Sequence, residues 1–245
     1  MQVRRFIKAV FLLVTSSLLF SCSSTPNEKE KEAKDEVFKY LQGKVEESNG
    51  LYEQGRYEDA ASLRERLLEE HPTHPYINNG EFFARIGDCW RKSEQFDKAL
   101  HWYEKAIDRF SGDIEFCRKK VETSSIRDEV RLYGDLSENI LIRISNVQTF
   151  IGEIQMKRKC YDKAIDALLK ALVANNGNLR AFYLLGCAYD SVEGQEKNAL
   201  KTFGEFLQLV KMVSKEQMRA FGISELEIEE AKKRIVKLSE KVFNK

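Results

Sequence analysis

Proline is scarce, with three in 245 residues, and neither charge sign prevails: 40 lysines and arginines stand against 39 aspartates and glutamates. A net charge of +1 gives no basic field of the kind that holds nucleic acid, so no nucleic-acid partner is expected. No apolar run reaches the roughly 20 residues that a membrane-spanning helix needs. Alternating Val, Ile and Thr between glycine turns is missing, which argues against sheets. Histidine is limited to His71, His74 and His101. The first two sit in His-Pro-Thr-His-Pro with no third ligand nearby, so no metal site is expected. A glycine-rich phosphate loop, Gly-x-Ser-x-Gly and His-Glu-x-x-His are all absent. Paired carboxylates such as Glu69-Glu70 and Glu229-Glu230 belong to solvated faces in a chain that is 32% charged. These absences predict no catalytic residues, no cofactor and no enzyme.

What is present begins at the N-terminus. Arg4, Arg5 and Lys8 precede an apolar stretch from Ala9 to Phe20, and then come Ser21, Cys22, Ser23 and Ser24. Basic, apolar, small is the order of a secretory signal. Leu19-Phe20-Ser21-Cys22 resembles a bacterial lipobox. The resemblance implies a lipoprotein signal peptide over 1–21, cleavage before Cys22, and acylation (palmitate-type chains) of the Cys22 sulfur and new amino group. Two or three chains hold a membrane stably where one holds weakly. The other reading is an ordinary cleaved signal with Cys22 as a bystander. Ser23 stands where Asp retains many such proteins in the inner membrane, which leans toward the outer membrane with the body in the periplasm. Without residues 1–21 the net charge becomes −2. Residues 22–36 are polar and charge-dense and cannot bury a core. They are expected to form a lipidated flexible tether, helical toward its end, leading into a helical domain over 37–245.

Three segments share one pattern: Arg56-Tyr-Glu-Asp-Ala-Ala, Gln95-Phe-Asp-Lys-Ala-Leu and Cys160-Tyr-Asp-Lys-Ala-Ile. Ala60, Ala99 and Ala164 mark the shared site, and Ala199 marks a looser fourth copy. The pattern resembles the tetratricopeptide (TPR) repeat, a helix–turn–helix unit of about 34 residues. In that frame the first copy covers 41–74, with Gly55 in its turn and Pro72 near its end. The second, 80–113, carries Ile86-Gly87, Trp90, Tyr103 and Ala106. The third, 145–178, carries Ile151-Gly152, Leu168 and Ala171. The fourth, 179–213, carries Phe182, Leu185-Gly186 and Tyr189, then one extra turn residue before Ala199, Phe203 and Phe206. The resemblance implies an all-α, TPR-type α-solenoid, in which stacking buries the face that one hairpin cannot bury alone.

The markers are 39, 65 and 35 residues apart. The middle spacing exceeds one repeat by about 31 residues, so 111–144 reads as an inserted helical segment, with a cryptic fifth hairpin as the other reading. Helical spacing from Leu136 through Ile154 makes the first helix of the third copy long, beginning near Ser137. Ser224 and Glu227 form a capping box ahead of a stripe through Ile228, Ala231, Ile235, Leu238 and Val242. This predicts a capping helix over 224–243, with Glu229–Lys233 and Glu230–Arg234 on its solvated face. A partner-binding amphipathic helix is the alternative. Cys89, Cys117, Cys160 and Cys187 show no metal spacing and read as free thiols, with disulfides left open.

TPR arrays bind along the groove lined by first helices. Carried over copy by copy, that resemblance nominates Asn49 and Tyr52; Arg85, Asp88, Arg91 and Lys92; Asn146, Phe150 and Glu153; and Arg180, Tyr183 and Asp190. Such a lining suits an extended peptide or helix through Tyr and Arg anchors. One TPR subgroup clamps a C-terminal carboxylate. Asn49 matches that clamp, but Val45, Arg85 and Phe150 do not. The expected function is a membrane-anchored scaffold for protein–protein interaction in the cell envelope, with outer-membrane assembly as one such process. The alternative is an accessory subunit of a periplasmic solute-binding or transport system, favoured if the insertion closes the groove.

Overall fold

The computed structural model describes residues 28–243. The expected signal peptide, the expected lipid site Cys22 and the expected tether up to Asn27 lie outside the described residues. The chain divides after Gly43. Of the first unit, residues 28–43 are described, and they are helical as the leading part of α1 (Glu28–Glu53). The tether over 22–36 is expected to turn helical toward its end, and among the described residues the helix begins at Glu28, as Glu, Lys and Ala are strong helix formers.

The second unit, from Lys44, holds the end of α1 followed by α2 (Tyr57–Glu70), α3 (Gly80–Lys92), α4 (Phe96–Thr123), α5 (Arg127–Lys157), α6 (Tyr161–Ala174), α7 (Leu179–Asp190), α8 (Glu196–Met212), α9 (Lys215–Ala220) and α10 (Glu225–Phe243). No strand occurs among the described residues, and no helix there is long and apolar enough to cross a membrane. The helices pair as α1/α2, α3/α4, α5/α6 and α7/α8, which is a TPR-type α-solenoid.

The repeated small residues have a spatial cause. A Cβ on Gly87 would lie 2.7 Å from the Tyr103 ring, one on Gly152 2.6 Å from Leu168, and one on Gly186 2.6 Å from the Phe203 ring. In these three hairpins the first helix therefore touches a large side chain of the second with bare backbone, while in the first hairpin buried Ser48 donates to Ala60 O at 3.2 Å. The marker alanines Ala60, Ala99, Ala164 and Ala199 are fully buried. Each hairpin turn carries one residue in the left-handed region, five before its marker: Gly55 (φ 77°), Glu94 (61°), Lys159 (58°) and Gly194 (81°). In the first three turns the next residue donates its N–H back across the helix end, Arg56 to Leu51, Gln95 to Trp90 and Cys160 to Gln155, each at 2.9 Å. This arrangement satisfies the carbonyls that a helix terminus leaves open. The fourth turn spans 191–195 and closes differently, through Gln195 N–H to Val192 O at 3.2 Å, in keeping with its extra residue.

Residues 111–144 form no separate element and no fifth hairpin. They are the continuation of α4 and the beginning of α5, two helices of 28 and 31 residues joined by a short bend at 124–126. No proline breaks either helix, and the apolar stripe runs on through both. Cys117 is buried between them, and Phe116 meets Tyr133 edge-on at 6.0 Å. The arm explains why α5 starts at Arg127 rather than near Ser137: Asp128 and Glu129 occupy its first turn, where they favour the helix dipole.

A buried polar network ties the third copy to the fourth. Asn178 donates from Nδ2 to Ser145 Oγ at 2.8 Å and to Thr149 Oγ1 at 3.0 Å, and Ser145 Oγ donates to Ala171 O at 2.8 Å. The Asn178 Oδ1 accepts from Ala181 N–H, capping α7. At the far end, Ser214 and Gln217 box the start of α9. That helix is too short to leave a periodic signal in the sequence. Ser224 and Glu227 box α10 reciprocally at 3.2 and 2.9 Å. α10 packs on α8, with Ala231 and Leu238 joining Phe203 and Phe206 in one core.

Candidate functional site

The groove positions lie on α1, α3, α5 and α7, and the fold links most of them to one another. Tyr52 donates its hydroxyl to Asp88 Oδ2 at 2.5 Å. Asp88 also takes Arg91, whose Nη1 reaches Glu153 at 3.2 Å. The same guanidinium lies 4.6 Å from the centre of the Phe150 ring. Glu153 stands 4.0 Å from Arg180, and Arg180 pairs with Glu227 of α10. Further along, Tyr183 donates to Glu230 Oε2 at 3.0 Å, and Arg234 bonds Asp190 at 2.5 Å. A ladder of alternating charge thus runs across the first helices.

One register generates the ladder. The twelfth residue of one copy meets the ninth of the next: Tyr52 with Asp88, Arg91 with Glu153, and Asp190 with Arg234. At the junction of the third and fourth copies those two places are Met156 and Cys187, which pack against the apolar core instead. The Asp190–Arg234 contact gives α10 the place that a first helix takes beside its neighbour. The expected solvated face of α10 is corrected accordingly. Glu230 and Arg234 turn toward the groove, and Glu229 pairs with Lys232 at 2.6 Å rather than with Lys233. Glu229, Lys232 and Lys233 are exposed.

The remaining groove positions are set differently. Arg85 is exposed and pairs with Glu81 at 3.1 Å, a carboxylate it shares with Arg143. Lys92 and Asn146 are exposed and have no hydrogen-bond or ion-pair partner among the described residues. Asn49 accepts from Arg64 Nη2 at 2.7 Å. The sequence frame did not nominate Arg64, Glu227, Glu230 or Arg234. The last three follow only from placing α10 in frame after the unforeseen α9. Arg64 lies on a second helix, and it reaches the groove because it is long enough to pass between α1 and α3.

The electrostatics suit binding. Burial, then the Asp88 hydrogen bond, keeps the Tyr52 hydroxyl protonated well above the usual tyrosine range, and burial does the same for Tyr183. Burial pushes the Cys89 and Cys187 thiols up to about 11, so neither is a thiolate at neutral pH. The four cysteines among the described residues are free. No group of His, Cys, Asp and Glu among the described residues is arranged to hold a metal ion. Two cavities, of 380 and 340 Å³, lie off the groove face. One is at the α9–α10 elbow around Met218 and Ile223, and the other is between α4, α5 and α6 around Ile107 and Ile151.

No protein-family model matches the chain, and no curated protein matches it in sequence. Among solved structures it is similar to the yeast histone chaperone Hif1, a scaffold protein recruiting protein complexes to core histones. That likeness has a TM-score of 0.54 at 17% identity and covers 86% of this chain and 97% of that one. It is also similar to the C-terminal TPR-containing domain of a Plasmodium falciparum FK506-binding protein (TM-score 0.48, 21% identity, 69% and 93% covered). MamA from Desulfovibrio magneticus gives a TM-score of 0.47 at 16% identity, with 81% and 93% covered. At this identity the Hif1 likeness speaks for the fold alone.

Proposed function

We propose that the chain is an interaction scaffold of the bacterial cell envelope, held to the membrane by lipid on Cys22, that takes an extended segment or helix of a protein partner along the groove of its first helices. The observation that carries this reading is the continuous groove face itself. Half-buried Tyr52, Arg91, Phe150 and Arg180 are held in fixed orientations by their neighbours, which lowers the ordering cost of binding. Hif1, which shares the fold, is described as a scaffold recruiting protein complexes. The reading as a solute accessory subunit needs a groove closed into a pocket. The cavities at the α9–α10 elbow and between α4, α5 and α6 lie off the groove and give that reading no support; outer-membrane assembly is one candidate process for the scaffold.

Site-specific photo-cross-linking in intact cells tests the groove. A photoreactive side chain at Asn146, exposed on the groove face, should capture a discrete protein, whereas one at Lys163 on the outer face should not. Equal capture at both positions, or capture at Lys163 alone, would refute the groove as the docking surface. For the anchor, Cys22→Ala should abolish acyl labelling and release the chain from membranes.

A further inference from the structure

Helix α10 packs by one side. Ala231 and Leu238 are buried, and Ile228 and Ile235 pack against the same core. The opposite side carries Leu226, Glu229, Lys233 and Val236, all exposed. Leu226 and Val236 are 78% and 61% exposed. These residues follow one another at intervals of 3, 4 and 3, the spacing of a coiled-coil seam. Glu229 has only the surface pair with Lys232, at 2.6 Å. Lys233 has no hydrogen-bond or ion-pair partner among the described residues.

The order along the seam is apolar, acidic, basic, apolar. Reversed, it is its own complement. Two such helices set antiparallel, and centred at the level of Ala231, place Leu226 opposite Val236 and Glu229 opposite Lys233, each pair twice. Other registers lack this match. A parallel pair opposes Glu229 to Glu229 and Lys233 to Lys233. An antiparallel pair slid by one heptad toward the C-termini opposes Glu229 to Glu240, and one slid the other way sets Leu226 against Glu229. Like charges brought together oppose association.

We infer that the outer side of α10 is a self-association face, on which a second copy of this chain docks antiparallel about a twofold axis. The contact is isologous, so it closes at two copies and cannot grow into a filament. Charge complementarity and the two aliphatic residues at the ends of the seam fix the register. On the groove reading above, two copies joined in this way present two grooves, and a partner with two docking segments gains avidity.

Disulfide trapping in the purified full chain in detergent tests the register. The background is Cys160→Ser, which removes the exposed native thiol. Leu226→Cys chains mixed with Val236→Cys chains under a mild oxidant should give at least five times the covalent dimer that either gives alone, because like positions of the two copies then lie roughly 15 Å apart. Adding Lys233→Glu to both chains should lower the mixed dimer at least fivefold. Adding Glu229→Lys as well should restore it, since the charges are then exchanged rather than opposed. A mixture that traps no better than the single variants, a yield indifferent to Lys233→Glu, or a failure of the double charge reversal to rescue would each overturn the inference. None of these readouts involves the groove, whose test at Asn146 stands or falls separately.

Discussion

Glu65 shows how much a single side chain carries in this chain. Both tryptophans donate to one of its oxygens, Trp90 Nε1 at 2.7 Å and Trp102 Nε1 at 2.6 Å. Lys98 and Lys105 lie over the two indole rings, at 3.9 and 4.4 Å from their centres. The rings are 4% and 8% exposed, so an indole N–H deprived of this acceptor has little water to turn to. Glu65→Ala should therefore lower the unfolding free energy by about 3 kcal/mol, while Glu65→Gln keeps an acceptor oxygen and should lose about 1 kcal/mol or less. Urea titration followed by tryptophan emission measures both, and equal losses would show that the hydrogen bonds are not the cause. Glu65 left no trace in the sequence. It sits within a charge-rich helix where nothing separates a structural carboxylate from a solvated one.

At the scale of elements, the hairpin turns connect sequence to geometry. All four place a left-handed residue at the same point, yet only Gly55 and Gly194 are glycines. Glu94 and Lys159 hold positive φ against the Cβ clash, which costs on the order of 1 kcal/mol each. Lys159→Gly should accordingly stabilise the fold by about 1 kcal/mol. Gly55→Ala should destabilise it by a comparable amount, since open space surrounds that position and only backbone strain changes. Denaturant midpoints decide the matter: a loss on Lys159→Gly would mean its side chain does something the turn needs. The repeat frame, read from the marker alanines, named Gly55 as a turn residue but not Glu94, Lys159 or Gly194. It did not reveal that α4 and α5 run on to build the arm. A long apolar stripe reads the same whether it belongs to an added helix or to the extension of two existing ones.

Across the second unit, the ladder ties each first helix to the next, and its last rungs hold α10 in place. Hydrogen bonds from Arg234, then from Tyr183, hold the Glu230 carboxyl below the usual glutamate range. A depressed carboxyl contributes stability that is fully present above the ordinary value of about 4.3 and is lost as pH falls through its lowered value. Acidification should therefore loosen α10 before the hairpins. In hydrogen exchange, protection of the α10 amides should drop first in acid, and Glu230→Gln should remove that early step. Simultaneous loss of protection in α10 and α7 would contradict a terminal helix held by these rungs. The groove residues nominated by repeat position lie on α1, α3, α5 and α7. Their mutual pairing was not legible, because it depends on how far each hairpin rotates against the next.

The sequence by itself determined the repeat frame, the close approach of paired helices at Gly87, Gly152 and Gly186, and the capping box at Ser224. These features depend on residue size and local hydrogen bonding, which act over a few residues. Only the tertiary structure decided that Arg64 reaches from a second helix to Asn49, that Glu65 serves both tryptophans, and that Glu230 and Arg234 pair with Tyr183 and Asp190 of α7. Each of those depends on the rotation and spacing of helices tens of residues apart. A charged side chain carries the same letter whether it meets water or another repeat.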